Sequence, residues 1–511
     1  MKAKETLFDG IIDYMKSKKA EIHILYIVCI CLFGIWMFND FVSFDAEGFY
    51  SIGNGTKWYS QWIGLDRWAF VLLKSLLGVK VINPFFSVTV FLICFPLSSI
   101  LWSYLVYLWK DRTSVCWDLL IFGLFYISHP IWVLQFAYRN QMEVCSIILT
   151  LLPVGMICLT RWLEDDSGID FVFALVLIIF CFGGYQSFTF MYGTAAAVYL
   201  LFYADRHSSK EMLKLFGRLI VFTLLAFIGY KLIALAVIHY FGIDAGMYKG
   251  YLLEQILWTS KPLAECLYNI FIYIKESCFG KWPVFTALYS VLAILFIITS
   301  VSAAARRKTN LGWTILADLG ILAIPFALTI MMANSAVIRS QFAFVLSLAF
   351  MAMYLYQRYQ GLLESEKIPQ RPGQILLAGC LLLSLVPQIN DATRLMYTDY
   401  RTMAGDHERM QQIYYQAVRL GAKDNDAIVF INNAEMKPEE ITADFEVVGY
   451  SYFQVIDKNK LAEAMQAYGY PVSIASDAQK KYAETLKDSM KIWPSEGSIL
   501  VKDKLIIVRL S

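Results

Sequence analysis

By length alone, 511 residues would make about three or four soluble domains. However, 58% of the chain is hydrophobic and only 17% charged, against about 25% charged in an ordinary soluble domain, and the mean hydropathy is +0.52. That is the composition of a membrane protein, and a net charge of +2 excludes the concentrated basic face that a nucleic-acid partner needs.

Residues 1 to 21 are polar and carry Lys16, Lys18 and Lys19. The first apolar run follows without a small-residue cleavage site, so it is expected to stay attached as a span. Crossing a hydrocarbon core takes about 20 apolar residues, and eleven runs qualify, near 22 to 40, 83 to 109, 115 to 137, 142 to 160, 169 to 185, 188 to 204, 213 to 240, 283 to 304, 311 to 333, 340 to 357 and 373 to 389. The Gly183-Gly184 pair separates the fifth from the sixth, because glycine favours a tight reversal. The ten cysteines fall almost entirely in these runs with no CxxC pair and read as small buried hydrophobes, not as a zinc site or a disulfide framework.

The loop at 41 to 82, with Asn39 and Asp40 before it, brings Asp45 and Glu47 together among Phe41, Phe44, Phe49 and Tyr50. In an extended stretch, residues two apart project to one side, and burial beside a second carboxylate makes a usable general base; solvated loop acids are the other reading. The loop continues through Trp58, Tyr59, Trp62, Asp66, Arg67 and Trp68. Its rings serve either as faces for a sugar or as an interfacial belt. Arg67 either pairs with Asp66 or clamps a phosphate. Further on, Arg139 stands in a short turn with His129 and Glu143 nearby, and is either a ligand contact or a snorkelling side chain. Lys231 lies inside a span, where an ionisable group points to function or to a partner helix.

Residues 22 to 389 thus form a membrane domain with long loops at 41 to 82 and 241 to 282. From 390 to 511 the chain changes, holding 33 of its 86 charged residues and no cysteine. A helix around 406 to 420, a strand at 427 to 431, a helix near 460 to 468 and a strand at 504 to 510 predict a small α/β unit, either a lid or a structural appendage. With the N-terminus inside, the cytoplasmic segments carry 18 Lys/Arg in 69 residues and the opposite loops 10 in 94. This bias places the N-terminus in the cytoplasm and the long loops and C-terminal unit outside.

The order of these parts resembles the GtrII-type glucosyltransferases, bacterial integral membrane enzymes of the GT-C architecture. The resemblance rests on the first-loop Asp-x-Glu-Gly, on Asp66-Arg67-Trp68 where the family has Gly-Arg-Trp, on Gly184-Tyr185-Gln186-Ser187, on Asn334-Ser335 to Arg339-Ser340, on Gly449 to Phe453, and on Lys491-Ile492-Trp493-Pro494 with Gly497-Ser498-Ile499. It implies transfer of glucose or a related hexose from an undecaprenyl-phosphate-linked donor to a cell-surface glycan, at the outer face of the cytoplasmic membrane. A flippase and a polyprenyl-phosphate glucosyltransferase would serve the same pathway. The expected reaction is an inverting displacement with Asp45 as base and Glu47 sharing that role or orienting the acceptor, the two being exchangeable because spacing does not rank them. Arg67, Arg139 and Arg339 would hold the donor phosphate. Trp62, Asp66, Tyr185 and Gln186 would contact substrate, as would Lys491 and Trp493 unless the tail aromatics are the small unit's own core. No metal is required, although a divalent cation on Asp45 and Glu47 stays open. A surface-glycan polymerase and a lipid-linked sugar transporter or flippase are the competing classes.

Overall fold

The computed structural model describes residues 7–39, 41–50, 59–113, 115–244, 246, 248, 250, 254–281, 283–307, 310–365, 370–434, 446, 448–455 and 457–511. Asp40, Trp58 and Lys308 lie outside these residues.

Among the described residues, eight helices are long and apolar enough to cross a membrane: Lys19–Phe38, Pro84–Trp109, Arg139–Asp165, Ser187–Ala204, Ser209–Phe241, Leu288–Arg307, Leu311–Met332 and the stretch Pro372–Arg419. Eight of the eleven expected runs correspond to these helices. The runs at 115 to 137 and 169 to 185 give helices too short to qualify, Asp118–Ile127 and Gly168–Phe182. The first of these breaks at Pro130, and Ile131–Phe136 follows as a separate short helix. The run at 340 to 357 falls in Phe342–Ser365, outside the eight. Asp118–Ile127 and Ile131–Phe136 are buried on every side by protein, whereas Gly168–Phe182 leaves Ile169, Val172, Phe173 and Val176 exposed.

Local signals set the helix ends. Asn83 accepts from the Phe86 amide at 3.1 Å with Pro84 at the first helical position, which suits a missing N–H. Ser208 and Glu211 form a capping box at the start of Ser209–Phe241, and Gly242 closes it in the left-handed region at φ 61°. The Gly183-Gly184 split is present between Gly168–Phe182 and Ser187–Ala204, for a packing reason: a Cβ on Gly183 would stand 2.3 Å from the Trp68 ring. The bundle core is aromatic, with Phe91 and Phe95 stacked at 5.0 Å and Phe136 and Trp132 against them. Outward, helix Ser209–Phe241 exposes Leu213, Val221, Leu224, Ile228 and Leu232, an apolar face suited to lipid. The long segment at 241 to 282 holds a further helix, Leu263–Phe279, with Leu263, Leu267 and Phe271 exposed. All ten cysteines are free thiols, but Cys31, Cys116 and Cys380 are exposed, not buried.

The segments expected to be cytoplasmic meet at one end of the bundle. There Lys18 bonds Asp118 at 2.7 Å, Arg206 pairs with Asp111, and Arg307 and Arg358 share Asp205 at 3.2 and 2.8 Å. The opposite end receives the first loop, the turn at Tyr138, the Gly184-Tyr185 turn and Arg339.

Helix Val386–Arg419 runs without a break through position 390 into the C-terminal unit, so the predicted helix there starts 20 residues early. The sheet order is β2-β1-β4-β3, with β1 Ala427–Ile431, β2 Ser473–Ile474, β3 Ile499–Lys502 and β4 Leu505–Arg509. β1 runs parallel to β2 and β4, while β3 and β4 form a hairpin. Asp503 and Lys504, both at positive φ, make its two-residue turn. Successive residues of β1 and β4 face opposite sides. Ile428, Phe430, Ile506 and Val508 meet Met410, Ile413, Leu461 and Met465, whereas Val429, Ile431 and Ile507 meet Ala483.

Candidate functional site

The first loop is a compact turn, not the extended stretch expected. Asp45 takes the left-handed region at φ 62°, which aspartate tolerates. The Ala46 amide donates to the Ser43 carbonyl at 3.0 Å and the Phe49 amide to the Ala46 carbonyl at 2.9 Å, which winds Glu47–Phe49 into a single 3₁₀ turn. Asp45 and Glu47 nonetheless converge, because a third residue gathers them. Lys460, on the helix Lys458–Ala467 of the C-terminal unit, bonds Asp45 and stands 3.5 Å from Glu47 Oε1, with Phe44 4.5 Å beneath its ammonium.

The two acids differ in access. The Asp45 side chain is 34% exposed, whereas Glu47's is fully covered. The Tyr452 hydroxyl lies 3.0 Å from the Ser43 carbonyl oxygen and 3.1 Å from Glu47 Oε2, so its one proton serves two acceptors. Burial pushes Glu47 up to about 7; Lys460 and Tyr452 work against that rise and Asp45 adds to it. Burial with Glu47 alongside likewise holds the Tyr452 phenol well above its usual value. Phe44 stacks on Tyr452 at 5.3 Å and Val42 donates its amide to the Tyr468 hydroxyl at 3.1 Å. The C-terminal unit therefore packs directly over the carboxylates.

Behind the loop stands the turn at Arg139. The Arg139 amide donates to Ser43 Oγ at 3.2 Å and Asn140 Nδ2 to the Asp45 carbonyl at 3.0 Å. The buried Arg139 guanidinium lies over Trp36 at 5.0 Å with one Nη atom free of any hydrogen-bond partner, and Asp399 is its electrostatic counterpart. Glu143 does not serve Arg139; it pairs with Lys74, both side chains almost wholly covered. His129 is buried too, its Nδ1 accepting from the Ile131 amide at 3.2 Å.

Arg67 and Arg339 form the second group. The Arg67 guanidinium sits 4.4 Å over Tyr185, and its Nε is buried without a partner. Burial pulls Arg67 below its usual range, and the nearby Arg339 cation adds to this. Arg339 lies 4.5 Å over Tyr138 and 3.0 Å from Glu446. Tyr138 is within electrostatic reach of Arg339, Asp45, Glu446 and Tyr185, which joins the arginine group to the carboxylates. A buried cationic nitrogen with no acceptor is the kind of orphan that a ligand phosphate satisfies.

Other expected contacts are committed to structure. Asp66 is buried and receives Lys231 at 2.7 Å, which explains the lysine inside a span. Gln186 donates to the Leu65 carbonyl at 2.6 Å. Trp62 stacks on Phe49 at 5.3 Å and meets Phe70 edge-on. Tyr185 lies beside Phe342 and Phe70 with one face under Arg67. In the C-terminal unit Trp493 stacks on Phe453 at 6.5 Å against that unit's core, and Lys491 is exposed. The first loop does not offer a good metal cradle, because an ammonium already stands between its two acids. Among the described residues, no group of three His, Cys, Asp or Glu side chains is placed to hold an ion.

Lys460 and Tyr452 are the residues that sequence reasoning missed in these roles. Lys460 lies 415 positions from Asp45 and nothing local separates it from Lys458, while Tyr452 was read only as part of a short motif or as core.

A family model described as Glucosyl transferase GtrII matches residues 34–356, more than half of the chain. The match takes in Asp45, Glu47, Arg67, Arg139, Tyr185 and Arg339 and stops before Tyr452 and Lys460. No curated protein and no solved structure matches the chain.

Proposed function

The chain belongs to the glucosyl transferase GtrII family, and we propose that it takes glucose or a related hexose from an undecaprenyl-phosphate-linked donor and delivers it to a cell-surface glycan at the outer face of the bacterial cytoplasmic membrane. The observation that carries this reading is the meeting, at one end of an apolar bundle, of a carboxylate pair with two arginines stacked on Tyr185 and Tyr138. A donor whose lipid tail stays in the bilayer presents its sugar phosphate at that depth. The reaction is a single inverting displacement: a first-loop carboxylate takes the acceptor hydroxyl proton, the acceptor oxygen bonds the anomeric carbon, and the C–O bond to phosphate breaks with its electron pair leaving on the phosphate. Asp45, the more exposed acid, is the one an acceptor reaches. Arg67 and Arg339 stand where the leaving phosphate gathers charge, and fixed cations there lower the barrier. Asp45 and Glu47 act without a metal on this reading, and the architecture is of the GT-C kind.

The direct test offers the purified protein a synthetic polyprenyl-phosphate glucose or a nucleoside-diphosphate glucose, with glycan acceptor. Product from the lipid donor alone is expected; product from the nucleotide sugar, or none from either, overturns the proposal.

The same reading sets the N-terminus in the cytoplasm and the C-terminus outside, supported by the clustering of Lys18, Arg206, Arg307 and Arg358 at the end opposite the carboxylates. A cysteine placed at Ser511 should react with a membrane-impermeant thiol reagent in intact cells, above the wild-type background, and one at Arg306 should not. The reverse pattern would put the carboxylate loop in the cytosol.

A further inference from the structure

We propose that Lys460 is a positioning residue for the transfer reaction: its single ammonium, delivered by the C-terminal unit, holds Asp45 and Glu47 together as one base bearing a net single negative charge. The inference rests on the functional reading above and adds to it a residue beyond the stretch matched by the family.

The geometry is that of two acids and one cation. Lys460 bonds Asp45 and lies 3.5 Å from Glu47 Oε1, an oxygen that is buried and has no hydrogen-bond partner. The groups facing the pair from every side are few. Lys460 comes from the helix Lys458–Ala467 and Tyr452 from the turn before it. Tyr138 reaches Asp45 from the turn preceding Arg139, and Asn140 holds the Asp45 carbonyl. Among the described residues, Lys460 is the one cation within 4 Å of either carboxylate.

Two adjacent carboxylates without a cation do not both ionise; one keeps a proton, as in the paired aspartates of acid proteases. A proton held by one acid hydrogen-bonds the other and lowers its basicity, so the protonated pair is the weaker base toward the acceptor hydroxyl. With Lys460 present both acids can be ionised, and one proton passes from the acceptor to the pair as the glycosidic bond forms. The pair is then neutral overall, with the ammonium still opposed by the remaining carboxylate. Lys460 touches neither the donor nor the acceptor in this scheme; it acts through the acids.

The experiment compares wild type, Lys460→Met and Lys460→Arg by single-turnover transfer from polyprenyl-phosphate glucose between about pH 5 and pH 10. Removing a cation at this range moves the acid limb of the rate profile upward by about 1 to 3 pH units. At neutral pH, Lys460→Met should therefore be slower by about tenfold per unit of that displacement, recovering as the pH rises. Lys460→Arg restores the cation and should keep the limb near that of wild type. A Lys460→Met profile that is lowered equally at every pH, or unchanged, overturns the inference, because a merely structural lysine would give one or the other.

Thermal unfolding separates this failure from failure of the functional reading. Glu47 sits above its unfolded value, so the folded state binds more protons than the unfolded state and loses stability as pH rises through that interval. Without Lys460 the interval extends upward. The Tm deficit of Lys460→Met should then grow from pH 5 to pH 9, whether or not the chosen donor is a substrate. A constant deficit, or none, overturns the positioning role; a growing deficit with no transfer by the wild type overturns the functional reading alone.

Discussion

Asp45→Asn and Glu47→Gln each lower the rate of sugar transfer by about 10²-fold to 10⁴-fold, the range typical of losing a general base, while the protein stays inserted and folded. Both exchanges keep side-chain shape and delete a charge. Asp45→Asn removes the acid that an acceptor reaches and leaves Lys460 with Glu47 alone. Glu47→Gln keeps an oxygen for Tyr452 but takes away the carboxylate that shares the ammonium. The wild type should also lose activity below about pH 7, because Glu47 is pushed up to about 7 by burial and a pair that has bound a proton is a weaker base. The rate then falls about tenfold per pH unit on that side. Transfer from a synthetic lipid-linked donor, measured with matched amounts of folded protein, decides the matter. Near-normal transfer by both single variants would remove the carboxylate pair from the chemistry.

What the sequence made legible, and what it hid, follow from the range of each interaction. Span positions depend on local composition, so the long apolar runs are readable from the sequence. Where a helix is buried by neighbours and not by lipid, composition misleads, as at Asp118–Ile127; Gly168–Phe182 keeps an exposed apolar face and differs from the long helices in length. The β1 strand was legible because five consecutive apolar residues are buried on both faces. β2 is two residues long and carries no such signal. In the site, Asp45 and Glu47 could be found from their spacing, although the reason they meet is a lysine from the far end of the chain and not a shared face of an extended strand. Asp66 and Lys231 each looked functional alone. Together they are an ion pair between the first loop and a long helix, a partnership that only the fold makes visible.

The pair Lys74–Glu143 is where a single exchange should damage stability most. Both side chains are almost completely covered, at 1% and 0% exposure, so removing one leaves the other as an uncompensated buried charge, which typically costs about 3 to 5 kcal/mol. Lys74→Met alone, or Glu143→Leu alone, should therefore lower the unfolding free energy by about that amount. The double variant Lys74→Met/Glu143→Leu should regain most of it, since replacing a buried ion pair with apolar side chains of similar volume is often neutral. The consequence for function follows from what the pair joins. Lys74 lies on the helix Trp68–Leu76, directly after Arg67. Glu143 begins the helix Met142–Asp165, directly after the turn whose Arg139 amide and Asn140 side chain brace Ser43 and Asp45. The ion pair thus sets the arginine that would hold the donor phosphate at a fixed distance from the carboxylates that would activate the acceptor. A displacement of about 1 Å between reacting groups can cost 10²-fold in rate. The single variants should accordingly lose transfer activity beyond what their folded fraction explains, and the double variant should recover stability more fully than rate. Equal recovery of both would mean that the pair holds the helices together without setting the spacing of the site.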